Sequence, residues 1–171
     1  KFFKEFGLQL KYGIVNDYGI HKDLLCDLLM FYSSSQQKLT SLADYVSRMP
    51  EDQKFIYYAC GENVQRLNSL PQTELIKDKG YEILYLTDSV DEFVMQVIGT
   101  FNEKQLKSVN DKDLGIETDD EKKETEKTAE DNRELLDFVK EALGGKIKEA
   151  RISNKLKSHP VCLTTDGAIT L

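Results

Sequence analysis

The segment Thr40–Glu62, TSLADYVSRMPEDQKFIYYACGE, encodes a capped helix, a loop and a buried strand in one short stretch, and it constrains the fold more than any other part of the chain. Ser41 followed by Asp44 has capping-box spacing, with Asp in the place where Glu is the stronger reciprocal partner. Leu42, Tyr45, Val46 and Met49 recur at helical spacing and form one apolar stripe. Pro50 ends that helix, because it has no N–H and disfavours the α conformation in the residue before it. Phe55–Cys60 is an unbroken apolar run closed by Gly61, and a run without alternation predicts a strand covered on both faces. A second run, Tyr81–Leu86, follows Gly80. Helix-compatible residues (63–70 and 73–79) lie between the two runs, broken by Pro71. Strand, helix and strand in this order imply a right-handed crossover and a parallel pair. The expected fold class is therefore α/β: a small three-layer α/β/α unit around a short parallel sheet.

Around this unit, Lys1–Tyr12 reads as a helix with Phe2, Phe3, Phe6 and Leu10 on one side, ended by Gly13. Leu24, Leu25, Leu28, Leu29 and Phe31–Tyr32 read as a second helix with a broad apolar face, followed by a Ser33–Ser35 loop. Ser89–Glu92 has capping-box spacing and opens a helix through Phe93, Val94, Val97 and Ile98. Residues 101–109 then return toward the first unit. The character changes near 110–116. Thr118–Glu121 is another capping box, heading a long helix whose first half is polar all round. Its second half places Leu135, Leu136, Val139, Ala142 and Leu143 on one face, and Gly144-Gly145 stops it. Ala150, Ile152 and Leu156 alternate, as do Val161 and Leu163, which predicts a short antiparallel pair. One helix and two strands bury little core, so residues 110–171 are expected to be the truncated start of a partial α+β unit.

Charge and cysteine content narrow the function classes. The chain has 171 residues and a net charge of −7, of which residues 110–134, with eleven acids and five bases, carry −6. A remainder so near neutrality has no electrostatic footprint for nucleic acid, and the acidic stretch reads as a solvated helix face. No apolar run approaches membrane-spanning length, and the start of the chain lacks a signal-peptide pattern. Cys26, Cys60 and Cys162 have no metal-type spacing, and an odd number of unpatterned thiols favours a reducing compartment, with cytoplasm the expected location.

No phosphate loop, dinucleotide fingerprint or nucleophile elbow is present. His21 and His159 lack Cys, Asp or Glu partners at ligand spacing. His21 reads as a surface residue at a helix start and Cys26 as buried core. Asp88, Asp91 and Glu92 cluster at a helix start, where capping and the helix dipole account for them without acid–base work. Phe93 follows two acids in a first helical turn. It has two readings from the residues alone: an exposed aromatic rimmed by carboxylates that grips apolar segments of another chain, or a member of the helix–sheet core.

Several separate blocks resemble the ninety-kilodalton heat-shock chaperones (the heat shock protein 90 family), in that family's order. They are FFKEFGLQLKYGI, LLMFYSS, the Thr40–Glu62 segment, KGYEILYLTDSVDEF, KQLKSV and LGGKIKEARISNKLKSHPVCLTTDG. The compact middle and the SHPVCLTTDG ending look most like the bacterial branch. The resemblance implies a helical connector over 1–35, a small α/β subdomain over 36–109, both from the middle part, and the opening of the C-terminal part over 110–171. It implies a homodimeric, ATP-driven parent whose nucleotide and Mg sites and catalytic arginine precede Lys1 and whose dimerising helices follow Leu171. This chain alone is then expected to bind no cofactor or metal, to catalyse nothing, and to be monomeric or weakly associating. The implied partners are unfolded or partly folded clients and the 70-kDa heat-shock chaperone system, with neither nucleic acid nor membrane. The family's Asp-Glu-aromatic motif, associated with client contact, falls on Asp91, Glu92 and Phe93, with Phe where the bacterial pattern often has Trp. Tyr57 and Tyr58 also match but read as core strand residues. Asn102-Glu103 stands where the family often has a Gly-containing turn. A different class remains as the alternative: a stand-alone α/β enzyme or nucleotide-binding domain using the carboxyl edge of the two central strands, at Gly61-Glu62-Asn63 and Thr87-Asp88-Ser89.

Overall fold

A computed structural model describes residues 2–154, 156 and 158–164. Its centre is the predicted parallel pair, β3 (Phe55–Cys60) beside β4 (Ile83–Leu86), with Tyr57 opposite Ile83 and Cys60 opposite Leu86. The sheet is larger than the sequence announces. β1 (Met30–Ser33) lies antiparallel to β4, and β2 (Leu39–Ser41) antiparallel to β1. On the other side, β6 (Lys104–Ser108) runs parallel to β3 and pairs with the short β5 (Thr100–Phe101). The six strands lie in the order β2-β1-β4-β3-β6-β5, a parallel core flanked by antiparallel edges.

Both faces are covered, which is why the two central strands are apolar at every position. Ile56, Tyr58, Leu84 and Leu86 point to one face, where they meet α1 (Phe2–Asn16), α3 (Leu42–Arg48) and α6 (Asp91–Ile98). Tyr57, Ala59, Ile83 and Tyr85 point to the other, against α4 (Val64–Asn68) and α5 (Glu74–Asp78). Pro71 opens a 3-10 turn between those two helices, where its missing N–H costs nothing. Ser41 caps α3 as its spacing predicts, accepting the Asp44 N–H at 3.1 Å. The buried Tyr45 hydroxyl then donates to the Glu82 carbonyl (2.6 Å) and accepts from Gln53 (2.8 Å) and the Tyr57 N–H (3.2 Å), joining α3 to both central strands.

Several local readings change. Gly13 does not end α1, which continues to Asn16 because its inward side is Gly7, Lys11 and Ile14; Phe2 and Phe6 are exposed. The second helix is short: α2 (Lys22–Leu25) tightens into a 3-10 turn at Cys26–Leu28, and Leu29 turns extended so that Phe31 and Tyr32 enter β1. Pairing with β4, a contact distant in sequence, overrides the leucine spacing. The Ser89–Glu92 box does not form; Val90 occupies the cap position of α6 and Asp91 turns inward. The antiparallel pair expected over 150–163 is absent among the described residues, where Val161 and Leu163 stay exposed, because two short strands with no sheet to join do not hold in water.

At the β5–β6 turn, Asn102 and Glu103 both take positive φ (46° and 62°), the backbone of a two-residue hairpin that favours Gly. Beyond β6, the Tyr57 hydroxyl donates to the Leu114 carbonyl at 2.7 Å and pins the departing chain to the second face. There Gly115 takes φ +65° flush against Phe55, where any Cβ would collide with the ring. The Thr118 box does form and heads α7 (Asp119–Asp131). Asn132 interrupts the helix before α8 (Arg133–Ala142), and Gly144 and Gly145 follow with positive φ.

Candidate functional site

The expected contact residues sit on the first turn of α6, immediately after β4, and the turn splits them between inside and outside. Asp91 is 1% exposed and Phe93 37%, with Glu92 between them in burial. Val94, Met95 and Ile98 supply the core face of the helix, so Phe93 is left at the rim of that face. The three therefore do not form one continuous surface patch. Glu92 and Phe93 are on the accessible side, and Asp91 is directed at α1.

What receives Asp91 is Lys11, 4% exposed despite its charge. Its Nζ lies 2.6 Å from Asp91 Oδ1 and 2.8 Å from Asp88 Oδ2, and 4.9 Å from the centre of the Phe31 ring, with Phe3 on a further side at 5.7 Å. Two carboxylates and two aromatic faces replace the water an ammonium loses on burial. Asp91 also accepts the Asp88 N–H through Oδ2 at 3.1 Å. Burial pushes its carboxyl up from the ordinary carboxylate value, and Lys11 together with the Asp88 amide works against that rise. Apolar periodicity alone passes over Lys11 in α1. Its signal was present: it falls one turn after Gly7 and three residues before Ile14, on the inward stripe, where a lysine requires an acid partner.

The carboxyl edge of the central strands tests the alternative. Asn63 caps α4 by accepting the Arg66 N–H at 2.9 Å, Glu62 pairs with Arg66, and the Gly61 N–H bonds the Leu86 carbonyl at 3.0 Å. At Gly61 a Cβ would lie 2.8 Å from Leu67 Cδ2, so a larger residue there would have to displace that side chain. Gly61, Glu62 and Asn63, and Asp88 on Lys11, are thus each engaged within the protein. Cys60 at the same edge is pushed up by burial, with Glu92 and Asp91 adding to the effect, so it stays a thiol rather than a nucleophilic thiolate.

Elsewhere, Ser158, His159 and Glu74 meet at the surface. Both Ser158 Oγ (3.1 Å) and Glu74 Oε1 (2.8 Å) approach the same ring nitrogen, Nδ1, which is not the relay a nucleophile needs. His21 is exposed and Cys26 is buried, as the sequence indicates; His21 also pairs with Asp17, four residues before it, a contact the sequence reading did not include. Among the described residues, no group of three or more His, Cys, Asp or Glu side chains is placed to hold a metal, and no helix is long and apolar enough to cross a membrane.

A mixed six-stranded sheet with helices on both faces is the α/β architecture that the resemblance implies. Comparison with known proteins agrees. The family model described as Hsp90 protein matches residues 1–168, and the chain belongs to the Hsp90 family. It is 57% identical over its full length to the chaperone protein HtpG of Clostridium acetobutylicum, and 53% identical over 99% of its length to that of Bacillus subtilis. In each case it spans 27% of the relative, about a quarter of the longer protein. Among solved structures, it resembles the middle domain of a Plasmodium falciparum heat-shock protein. That match has a TM-score of 0.59 and 34% identity, and covers 64% of this chain and 46% of the other.

Proposed function

We propose that this chain is the part of an ATP-dependent Hsp90-type chaperone that passes conformational change along the molecule and contributes contacts to unfolded or partly folded clients. In this reading residues 1–35 are the helical connector and 36–109 the small α/β subdomain of the middle part. Residues 110–171 open the C-terminal part. ATP and Mg bind in segments of the parent outside this chain, and the parent is a cytoplasmic homodimer that works with the 70-kDa heat-shock system during stress.

The observation that carries the client contact is the rim position of Phe93. The residue is accessible beside Glu92 while Val94, Met95 and Ile98 anchor its helix in the core. An apolar surface on a fixed mount can take up apolar segments of many sequences without rearranging. Asp91 belongs to the same motif but contributes from inside.

The test is Phe93→Ala in the full-length chaperone, measured against a permanently unfolded probe, reduced and carboxymethylated α-lactalbumin, by fluorescence anisotropy. Affinity is expected to fall by roughly fivefold, the loss of one modest hot spot, with the unfolding midpoint held. Unchanged affinity would remove Phe93 from the contact surface. Titration of this chain with ATP in a calorimeter is expected to give no saturable heat; a micromolar site would return the alternative reading.

A further inference from the structure

We propose that Lys11 is the positioning residue for the client-contact edge of α6: seated between Asp88 and Asp91, it fixes the turn that sets Glu92 and Phe93 at the surface and so ties their placement to α1. The inference rests on the reading of Phe93 as a contact residue. It adds a residue 77 positions away from Asp88 in sequence, on a different helix.

Three independent features join α1 and the segment after it to α6. At the first turn, the Lys11 ammonium is in ion contact with both Asp88 and Asp91. Along the helix, Gly19 takes φ +80° at the turn after α1 and packs so closely that a Cβ would lie 2.7 Å from Val97 Cγ1. At the last turn, Lys22 Nζ donates to the Ile98 carbonyl at 3.3 Å, where the helix dipole favours a cation. Helix α6 is thus held at its first turn by Lys11 and at its last turn by Gly19 and Lys22, all from one continuous stretch of chain.

The attachment at Lys11 is the stiffest of the three. Separating the buried Lys11 ammonium from the buried Asp91 carboxylate leaves an uncompensated charge on each, which is strongly unfavourable, whereas Asp88 is 46% exposed and stays hydrated. A displacement of α1 must therefore take the Asp88–Asp91 turn with it. Glu92 and Phe93, the next residues along, are moved by the same rotation. Asp91 in this scheme touches no client and acts through Lys11.

The experiment uses the full-length chaperone with the paired substitution Lys11→Met/Asp91→Asn, which removes both charges of the buried pair and avoids stranding either one. Two readouts are taken. Amide hydrogen exchange over residues 91–98 is expected to quicken by about tenfold while β3 and β4 keep their protection, a local opening rather than global unfolding. Affinity for reduced carboxymethylated α-lactalbumin is expected to fall by about fivefold, and adding Phe93→Ala to the pair is expected to lower it little further, because the two changes act on one contact.

Unchanged exchange in α6, or strictly additive losses of affinity, would overturn the inference while leaving Phe93 as a contact. If Phe93→Ala alone binds the probe as the wild type does, the contact reading fails and the client-facing half of this inference fails with it. The exchange of residues 91–98 then still decides whether Lys11 anchors the turn.

Discussion

Helices α6 and α8 both carry a clear apolar face, yet α6 buries Val94, Met95 and Ile98 in the core beneath the sheet while none of the ten residues of α8 is buried. The difference lies in what each helix has to lean on. α6 follows a central strand and closes directly onto it. α8 follows a thirteen-residue helix that is almost entirely polar, and it presents Leu135 and Phe138 to the outside. Amphipathic spacing thus states which side of a helix prefers burial; the distant contacts decide whether it is buried. The two regions also derive their order differently, one from packing and the other from local caps and charges.

The largest effect expected from this contrast comes from making the same substitution in both regions. Phe31→Ala, at a side chain 1% exposed, is expected to cost about 3–5 kcal/mol in urea unfolding of this chain. Phe138→Ala, at 66% exposed, is expected to stay within about 0.5 kcal/mol. Similar costs at the two sites would dissolve the comparison. Next in size is Tyr45→Phe, which leaves the Glu82 carbonyl and the Tyr57 N–H without their hydroxyl partner inside the sheet region. A loss of about 1–3 kcal/mol is expected from the same unfolding curve.

The acidic region should respond to its caps instead. Thr118→Ala removes the side-chain acceptor for the Glu121 N–H, and about 1 kcal/mol of helix stability is expected to go with it. The check is reduced helical circular dichroism with an unmoved midpoint for the sheet. The smallest effect is a pH dependence. The Glu121 carboxyl is held below its ordinary value of 4.5, first by the Thr118 N–H and then by the Thr118 hydroxyl. A depressed folded-state value means that this cap is at full strength above the unfolded-state value and is lost as the pH falls through the folded-state one. Acidification below about pH 4.5 is therefore expected to lower α7 helicity in the wild type more than in Glu121→Gln. Equal acid responses in the two would show that the reciprocal bond contributes nothing.

Much of the sheet region is written locally. The unbroken Phe55–Cys60 and Tyr81–Leu86 runs announce strands covered on both faces, and Ser41, Pro50 and Pro71 punctuate the helices as their chemistry requires. β1 was illegible because the leucines before it keep helical spacing up to the residue where the chain turns extended, and its partner β4 lies some fifty residues away. The position of Phe93 at the rim could not be read either, since Asp91 and Phe93 have equal claim to the outer face until Lys11 is seen drawing one of them inward. The lysine itself was visible all along the stripe of α1. A reading that follows apolar residues alone passes over it.

Gly115 lies against Phe55 at the point where the chain leaves the sheet, and Tyr57, two residues along the same strand, holds the preceding carbonyl. A single strand therefore steers the exit of everything that follows: one ring sets the angle of departure and one hydroxyl sets its starting point. Replacing Gly115 with alanine would redirect the acidic helices at their root while leaving their own caps intact. The point from which α7 departs is thus fixed by contacts made before its first residue is reached.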